Sequence, residues 1–178
     1  SDPRGTLFWE TLRFVDKHKP KILVFENVRG LLSMVNPDGK KLIDAIENEI
    51  SDRGYRVTHK LLNTADFGVP QNRHRVLVVG LRNDVSDTVF DFESIEMQQG
   101  SDIQSVLKSI PKNAPNQVHW QLSPQAINLL EHIPEGGSWK NVPDEFLPER
   151  LKKIRSDMVR YHSPNFFRRF SRNEIMGT

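Results

Sequence analysis

Residues 21–28 read KILVFENV, and the first five of them decide the fold class. Ile22, Leu23, Val24 and Phe25 form a short β-branched and aromatic run without polar alternation, the pattern of a parallel strand buried on both faces. The run lies between two amphipathic helix patterns. Upstream, residues 6–18 (TLFWETLRFVDKH) place Leu7, Phe8, Leu12 and Val15 at spacings of three to four, and Pro20 closes the segment. Downstream the chain turns at NPDG (36–39), and Leu42, Ile43, Ile46 and Ile50 repeat on one helical face until Gly54 stops them. Tyr55, Val57, His59 and Leu61 then alternate with Arg56, Thr58 and Lys60, a half-buried strand. Residues 75–81 (RVLVVGL) form a more deeply buried one. The order over the first 85 residues is that of an α/β fold.

From about Val85 the texture changes. Acidic and polar residues, six prolines between Pro111 and Pro148, and the Gly136-Gly137 pair interrupt any long element. A boundary is expected near residue 90, dividing the chain into 1–90 and 91–178. Within the second part, residues 123–133 (SPQAINLLEHI) predict a short helix with Ser123 as N-cap and Pro124 in the first turn, and residues 145–160 are a further helix candidate. No internal repeat is visible.

The 178 residues are 37% hydrophobic and 27% charged, which places them with soluble globular chains rather than disordered ones. The sequence has no run of about 18 apolar residues and no basic-then-apolar leader, so neither a membrane span nor secretion is indicated and the cytoplasm is the default. Cysteine is absent, which excludes disulfides, thiolate metal sites and thiol nucleophiles within this chain. The net charge of +2 is small, but its distribution is uneven. Residues 91–149 hold three basic and nine acidic side chains, residues 150–178 eight and two. In that basic tail Tyr161, Phe166, Phe167 and Phe170 are interleaved with Arg160, Arg168, Arg169 and Arg172. Such a segment suits a phosphate backbone, or else a solvated helix end beside an aromatic core patch.

Two short stretches bear chemistry. Glu26-Asn27-Val28 ends the KILVF strand, and in an open parallel sheet the carboxyl ends of strands form the ligand-binding edge; the alternative is that Glu26 caps a turn or pairs with an arginine. PQNRHR (70–75) leads into the buried strand. If that strand begins early, alternation places Gln71, Arg73 and Arg75 on one face, where forked guanidiniums suit a phosphate or a base carbonyl. An ion pair with Glu26 or Asp66 is the other reading. His59 is expected as a packed core histidine with no carboxylate at metal spacing, His74 has no assigned role, and no metal site is expected.

Taken together, Ser1-Asp2-Pro3-Arg4-Gly5-Thr6-Leu7-Phe8, Phe25-Glu26-Asn27-Val28 and Gln71-Asn72-Arg73-His74-Arg75-Val76 are similar to the middle motifs of C5-cytosine DNA methyltransferases of the bacterial restriction-modification type. They resemble, in order, the segment after the catalytic Pro-Cys loop, the Glu-Asn-Val motif and the Gln-x-Arg-x-Arg motif, over roughly residues 1–85. The resemblance implies a fold: the C-terminal half of a Rossmann-like methyltransferase sheet, followed by part of a small, irregular target-recognition domain. It also implies a reaction, transfer of a methyl group from S-adenosylmethionine to C5 of a cytosine flipped out of double-stranded DNA. Glu26, raised in pKa by burial, would protonate N3 and bond the exocyclic amine. Arg75 would hold O2, and Asn27, Gln71, Arg73, Arg168 and Arg169 would contact substrate or brace the loop that does. Leu7 would border the methyl donor. IPEGGSWKNVP (133–143) resembles a stretch of some bacterial recognition regions, or is a glycine turn packed by one aromatic, and Met176-Gly177-Thr178 resembles the start of the family's next motif.

The resemblance also sets what is missing. The glycine-rich cofactor loop and the Pro-Cys nucleophile would lie upstream of Ser1. The chain is therefore expected to be an internal fragment, silent alone, rather than a split-enzyme subunit needing a complementary Pro-Cys chain or a degenerate product. A nucleoid-associated cytoplasmic location follows from a DNA substrate. The competing reading is a stand-alone DNA-binding or regulatory module resting on the basic aromatic tail.

Overall fold

The computed structural model describes residues 7–118, 121–157 and 167–177. Two compact units are present, divided after Gln99. The Ser1–Thr6 stretch, Arg160, Tyr161, Phe166 and Thr178 lie outside the described residues.

The first unit is mixed α/β. Helix α1 (Leu7–His18) buries Leu12 and Val15, with Phe8 packed beside them; strand β1 (Ile22–Val28) follows, then a single helical turn at Arg29–Ser33 and helix α2 (Leu42–Ser51). Strands β2 (Tyr55–Asn63) and β3 (His74–Arg82) complete a three-stranded sheet in the order β1-β3-β2. Gly54 joins α2 to β2 at φ +84°, a left-handed conformation that costs glycine nothing because it has no Cβ.

The pairing corrects one expectation. β1 runs antiparallel to β3, not parallel within a two-sided sheet, and β2 is also antiparallel to β3. Only one face of β1 is covered: Leu23 is buried, whereas Ile22 and Val24 are 56% and 63% exposed. A short continuous apolar run is compatible with either pairing mode, and strand direction is decided by connections that periodicity does not encode. β3 also begins at His74 rather than early, so Gln71 and Arg73 belong to the preceding loop and share no strand face with Arg75.

The core lies between the sheet and the two helices. Leu12, Val15, Leu23, Leu31, Ile43 and Ile50 are joined there by Val76 and Val78 of β3. Each such side chain is worth about 1.5–3 kcal/mol on leaving water. Gly80 sits in β3 opposite Leu23 on one neighbour and Val57 on the other. A Cβ at that position would stand 3.3 Å from both Ile50 and Leu23 side-chain carbons, so the missing side chain is what lets α2 approach the sheet. The segment after β3 folds back onto the same unit, with Phe92 buried, Lys60 Nζ donating to Glu93 (2.6 Å), and Gln98 bonded to the backbone of Asp66 and Gly68.

The second unit has its own core of Leu129, Ile133, Trp139, Val142 and Leu147. Its helices are short: α3 (Ile103–Ser109), α4 (Pro124–Glu131) and α5 (Glu149–Ser156). As the sequence indicates, Ser123 caps α4 by accepting from Ala126 N, and Pro124 stands in the first turn. Asp102 caps α3 by accepting from the Ser105 N–H at 2.8 Å. That backbone bond, with a second from the Ser105 hydroxyl, holds the Asp102 carboxyl below its ordinary range. The cap therefore contributes fully at neutral pH, and the contribution is lost as the pH falls through the depressed folded-state value. The described residues of this unit contain no strand; Ser138 and Arg168 form an isolated bridge. Among the described residues of either unit, no helix is long and apolar enough to cross a membrane.

Because the α2–sheet spacing depends on the bare backbone at Gly80, Gly80→Val should lower the unfolding free energy by about 1–3 kcal/mol through overpacking, read as a lower urea midpoint with an unchanged slope.

Candidate nucleic-acid and base-binding site

The antiparallel register of β1 on β3 places Glu26 opposite Leu77 and Val28 opposite Arg75. Side chains alternate along strands, so Glu26 and Arg75 emerge diagonally on the same face of the sheet, the one away from α1 and α2. There the Nε of Arg75 meets the Glu26 carboxylate Oε1 at 2.5 Å. Arg75 Nη1 donates to the His74 carbonyl at 2.8 Å. Among the described residues these contacts engage Nε and Nη1 of the arginine and Oε1 of the glutamate, and Nη2 remains as a donor and Oε2 as an acceptor. Of the two acids weighed as partners for the arginines, Glu26 is the one that pairs.

The setting is only partly dry. The Glu26 side chain is 56% exposed and that of Arg75 21%, so the burial expected for Glu26 is not provided by the described residues. Around the pair the outer face of β1 is apolar and open, with Val24 and Val28 63% and 51% exposed.

Asn27 points across to the other face, where its own Oδ1 accepts from the Val28 N–H at 2.8 Å and shapes the exit from β1. Gln71 and Arg73 lie in the ten-residue loop joining β2 to β3. Their backbones are tightly held: Gln71 N donates to Val69 O, and its carbonyl accepts from the Thr64 hydroxyl at 2.5 Å. The Arg73 N–H donates to Asn63 Oδ1 at 2.9 Å and its carbonyl accepts from Thr64 N at 3.1 Å. The Arg73 side chain is exposed, and its guanidinium has no partner among the described residues.

Leu7 stands at the start of α1 with its side chain 63% exposed. In the second unit, Arg168 lies over the Phe170 ring at 5.1 Å. Arg169 donates from its backbone to Gly137 O (2.9 Å) and from Nη1 to Ile133 O (3.1 Å). Arg169 thus helps to fasten residues 167–170 to the 133–139 turn, a structural use that the basic character of the tail did not reveal. That turn is the glycine-and-aromatic arrangement weighed above: Gly136 has φ +76°, Trp139 is buried, and Ser138 and Asn141 form a reciprocal capping box.

Three features were missed in the sequence. His59 Nδ1 meets Glu47 Oε1 at 2.7 Å, so a carboxylate does stand beside this histidine; the contact joins α2 to β2 across twelve residues, which no local spacing signals. Helix α3 was not expected, though Asp102 followed by Ser105 is a readable N-cap. Asn63 and Thr64 went unnoticed at the end of β2, where Asn and Thr side chains are apt to bond a turning backbone.

Comparison with known proteins assigns the family. Residues 1–175 match the family model of the C-5 cytosine-specific DNA methylases. The type II methyltransferase M.NgoFVII of Neisseria gonorrhoeae is 38% identical over 181 residues, covering 96% of this chain and 44% of that protein. The type II methyltransferase M.Eco47II of Escherichia coli is 32% identical over 157 residues, covering 85% and 37%. The chain spans less than half the length of these curated relatives. A crystal structure described as that of a DNA modification methyltransferase encoded within an E. coli prophage shares the fold at TM-score 0.58 and 17% identity, covering 100% of this chain and 58% of the other. The chain belongs to the C-5 cytosine-specific DNA methylase family.

Proposed function

We propose that this chain supplies the base-polarising half of a DNA (cytosine-5) methyltransferase of restriction-modification type, and that the Glu26–Arg75 pair carries this role. The support is the pair itself: adjacent donor and acceptor edges on one sheet face, held by the register of β1 on β3. A cytosine flipped out of duplex DNA presents O2, N3 and the exocyclic amine along one edge. Arg75 Nη2 bonds O2. Glu26 takes the amine as acceptor and holds a proton at N3, and this contact strengthens as negative charge reaches the ring. Closure of the remaining protein over the open face removes water from the pair. Arg73 and Gln71, on the braced loop, meet the phosphates or the loop bearing the nucleophile, and Asn27 sets the chain direction just beyond Glu26.

The first unit, with its boundary after Gln99 rather than near residue 90, then forms part of the Rossmann-like catalytic domain and the second unit part of the target-recognition domain, working on double-stranded DNA in the bacterial cytoplasm. Arg168 presents its cation from the Phe170 stack, and Arg169 acts chiefly by shaping the turn. S-adenosylmethionine supplies the methyl group when bound. Leu7 is the one residue of this chain assigned to it, and its exposed apolar side chain suits a border of the donor without a polar contact. The nucleophile is a thiol from elsewhere in the protein or from a complementary chain, since this one has no cysteine. The stand-alone DNA-binding reading loses support from the structural use of Arg169.

Two measurements test the proposal. The purified 178-residue chain should transfer no tritium from labelled S-adenosylmethionine to DNA; incorporation above background would show that a thiol is not needed. In the full-length protein, Glu26→Ala should lower kcat by at least ~100-fold, the scale of a lost proton-transfer group, with DNA affinity nearly unchanged. Equal losses in both would make Glu26 a binding group only.

A further inference from the structure

We infer that Asn63 and Thr64 are positioning residues for the reaction, acting through the loop that delivers Arg75; the inference rests on the role given to Arg75 above. β2 and β3 are joined by ten residues (64–73), far longer than the two-residue turns that set a hairpin register by themselves. Something else must hold the strand ends in place. Two adjacent side chains do so. Asn63 is the last residue of β2 and stands opposite His74, the first residue of β3. Its carbonyl oxygen accepts from the Arg73 N–H (2.9 Å), and its amide nitrogen donates to Asn72 Oδ1 (3.0 Å). Thr64 adds its hydroxyl to the Gln71 carbonyl (2.5 Å), its N–H to the Arg73 carbonyl (3.1 Å), and its own carbonyl to the N–H groups of Phe67 and Val69.

The three residues so held, Gln71, Asn72 and Arg73, are those immediately before the strand that carries Arg75. On the far side the loop is clasped a second time. Gly68 N donates to Gln98 O (2.7 Å) and Gln98 N to Asp66 O (2.8 Å), and Gly68 has φ +81° with the Gln98 side chain 3.1 Å from where a Cβ would stand. The loop is therefore fixed at both ends while its exposed Arg73 side chain stays free to meet a ligand. A displacement of about 1 Å at a reacting group can cost on the order of 100-fold in rate, so bonds that set the Arg73–Arg75 backbone act on turnover without touching substrate.

Steady-state methyl transfer by the full-length protein distinguishes this role from a merely stabilising one. Asn63→Ala removes both side-chain bonds and should lower kcat at least ~10-fold, with KM for DNA and the melting temperature close to wild type. Asn63→Asp keeps the acceptor for the Arg73 N–H, and the Asn72 amide can turn its NH2 toward the new oxygen, so this variant should recover most of the rate. Thr64→Val and Thr64→Ser form a second pair that removes or keeps one hydroxyl, and they decide the matter if Asn63→Ala does not fold. Wild-type kcat in Asn63→Ala or, failing its expression, in Thr64→Val would overturn the inference, as would an aspartate variant as slow as the alanine one. Failure of the underlying reading looks different: either the wild-type protein transfers no methyl group, or Glu26→Ala retains full turnover.

Discussion

Strand β3 is hydrogen-bonded along both of its edges, and its register decides nearly everything else about the first unit. Val76 and Val78 must face α1 and α2 to be buried, and alternation then commits Arg75 and Leu77 to the opposite face. Set against β1 in the observed pairing, this brings Arg75 diagonal to Glu26. A slip of one residue would turn every side chain of β3 to the wrong face and bury the guanidinium instead of a valine. The hydrophobic pattern thus fixes the face on which Glu26 and Arg75 stand: a one-residue slip that took Arg75 off that face would also expose the valines of the core. Gly80 belongs to the same constraint, since the strand can carry its valines under α2 only if the helix comes close enough to cover them.

How much of this could be read beforehand follows from the range of each interaction. α1, α2, β2 and the body of β3 announced themselves, because amphipathic periodicity over ten residues reports one buried face and needs no distant partner. Ser123 and Pro124 marked α4 by the same local logic. The direction of β1 was not legible. Ile22–Phe25 looks alike in parallel and antiparallel settings, and what distinguishes them is that β3 returns between β1 and β2. Glu26 and Arg75 could be named from their motifs, but their mutual contact spans forty-nine positions in the chain and emerges only with the register. The Glu47–His59 contact has the same cause, a helix and a strand brought together by packing. Arg169 shows the converse difficulty: a basic residue among aromatics reads as a phosphate contact until a buried carbonyl, that of Ile133, is found to hold it.

The energetics of the Glu26–Arg75 pair bear on the role proposed for it. An ion pair with one partner more than half exposed contributes about 0–1 kcal/mol, far less than any of the buried valines beside it. Its neighbours on the outer face, Val24, Val28 and Leu77, show that this part of the sheet tolerates apolar residues, so stability alone gives no reason for a carboxylate and a guanidinium there. An open apolar surface carrying one donor–acceptor pair is, however, what a ligand with a polar edge and a flat apolar ring would complete. When such a ligand and the rest of the protein cover the pair, the local dielectric falls, and hydrogen bonds of modest worth in water become strong enough to discriminate and to polarise. Under the role proposed for the pair, the exposure of Glu26 in this chain and its work once covered are two states of one site, and the bonds from Asn63 and Thr64 to residues 71–73 hold the backbone that leads into Arg75.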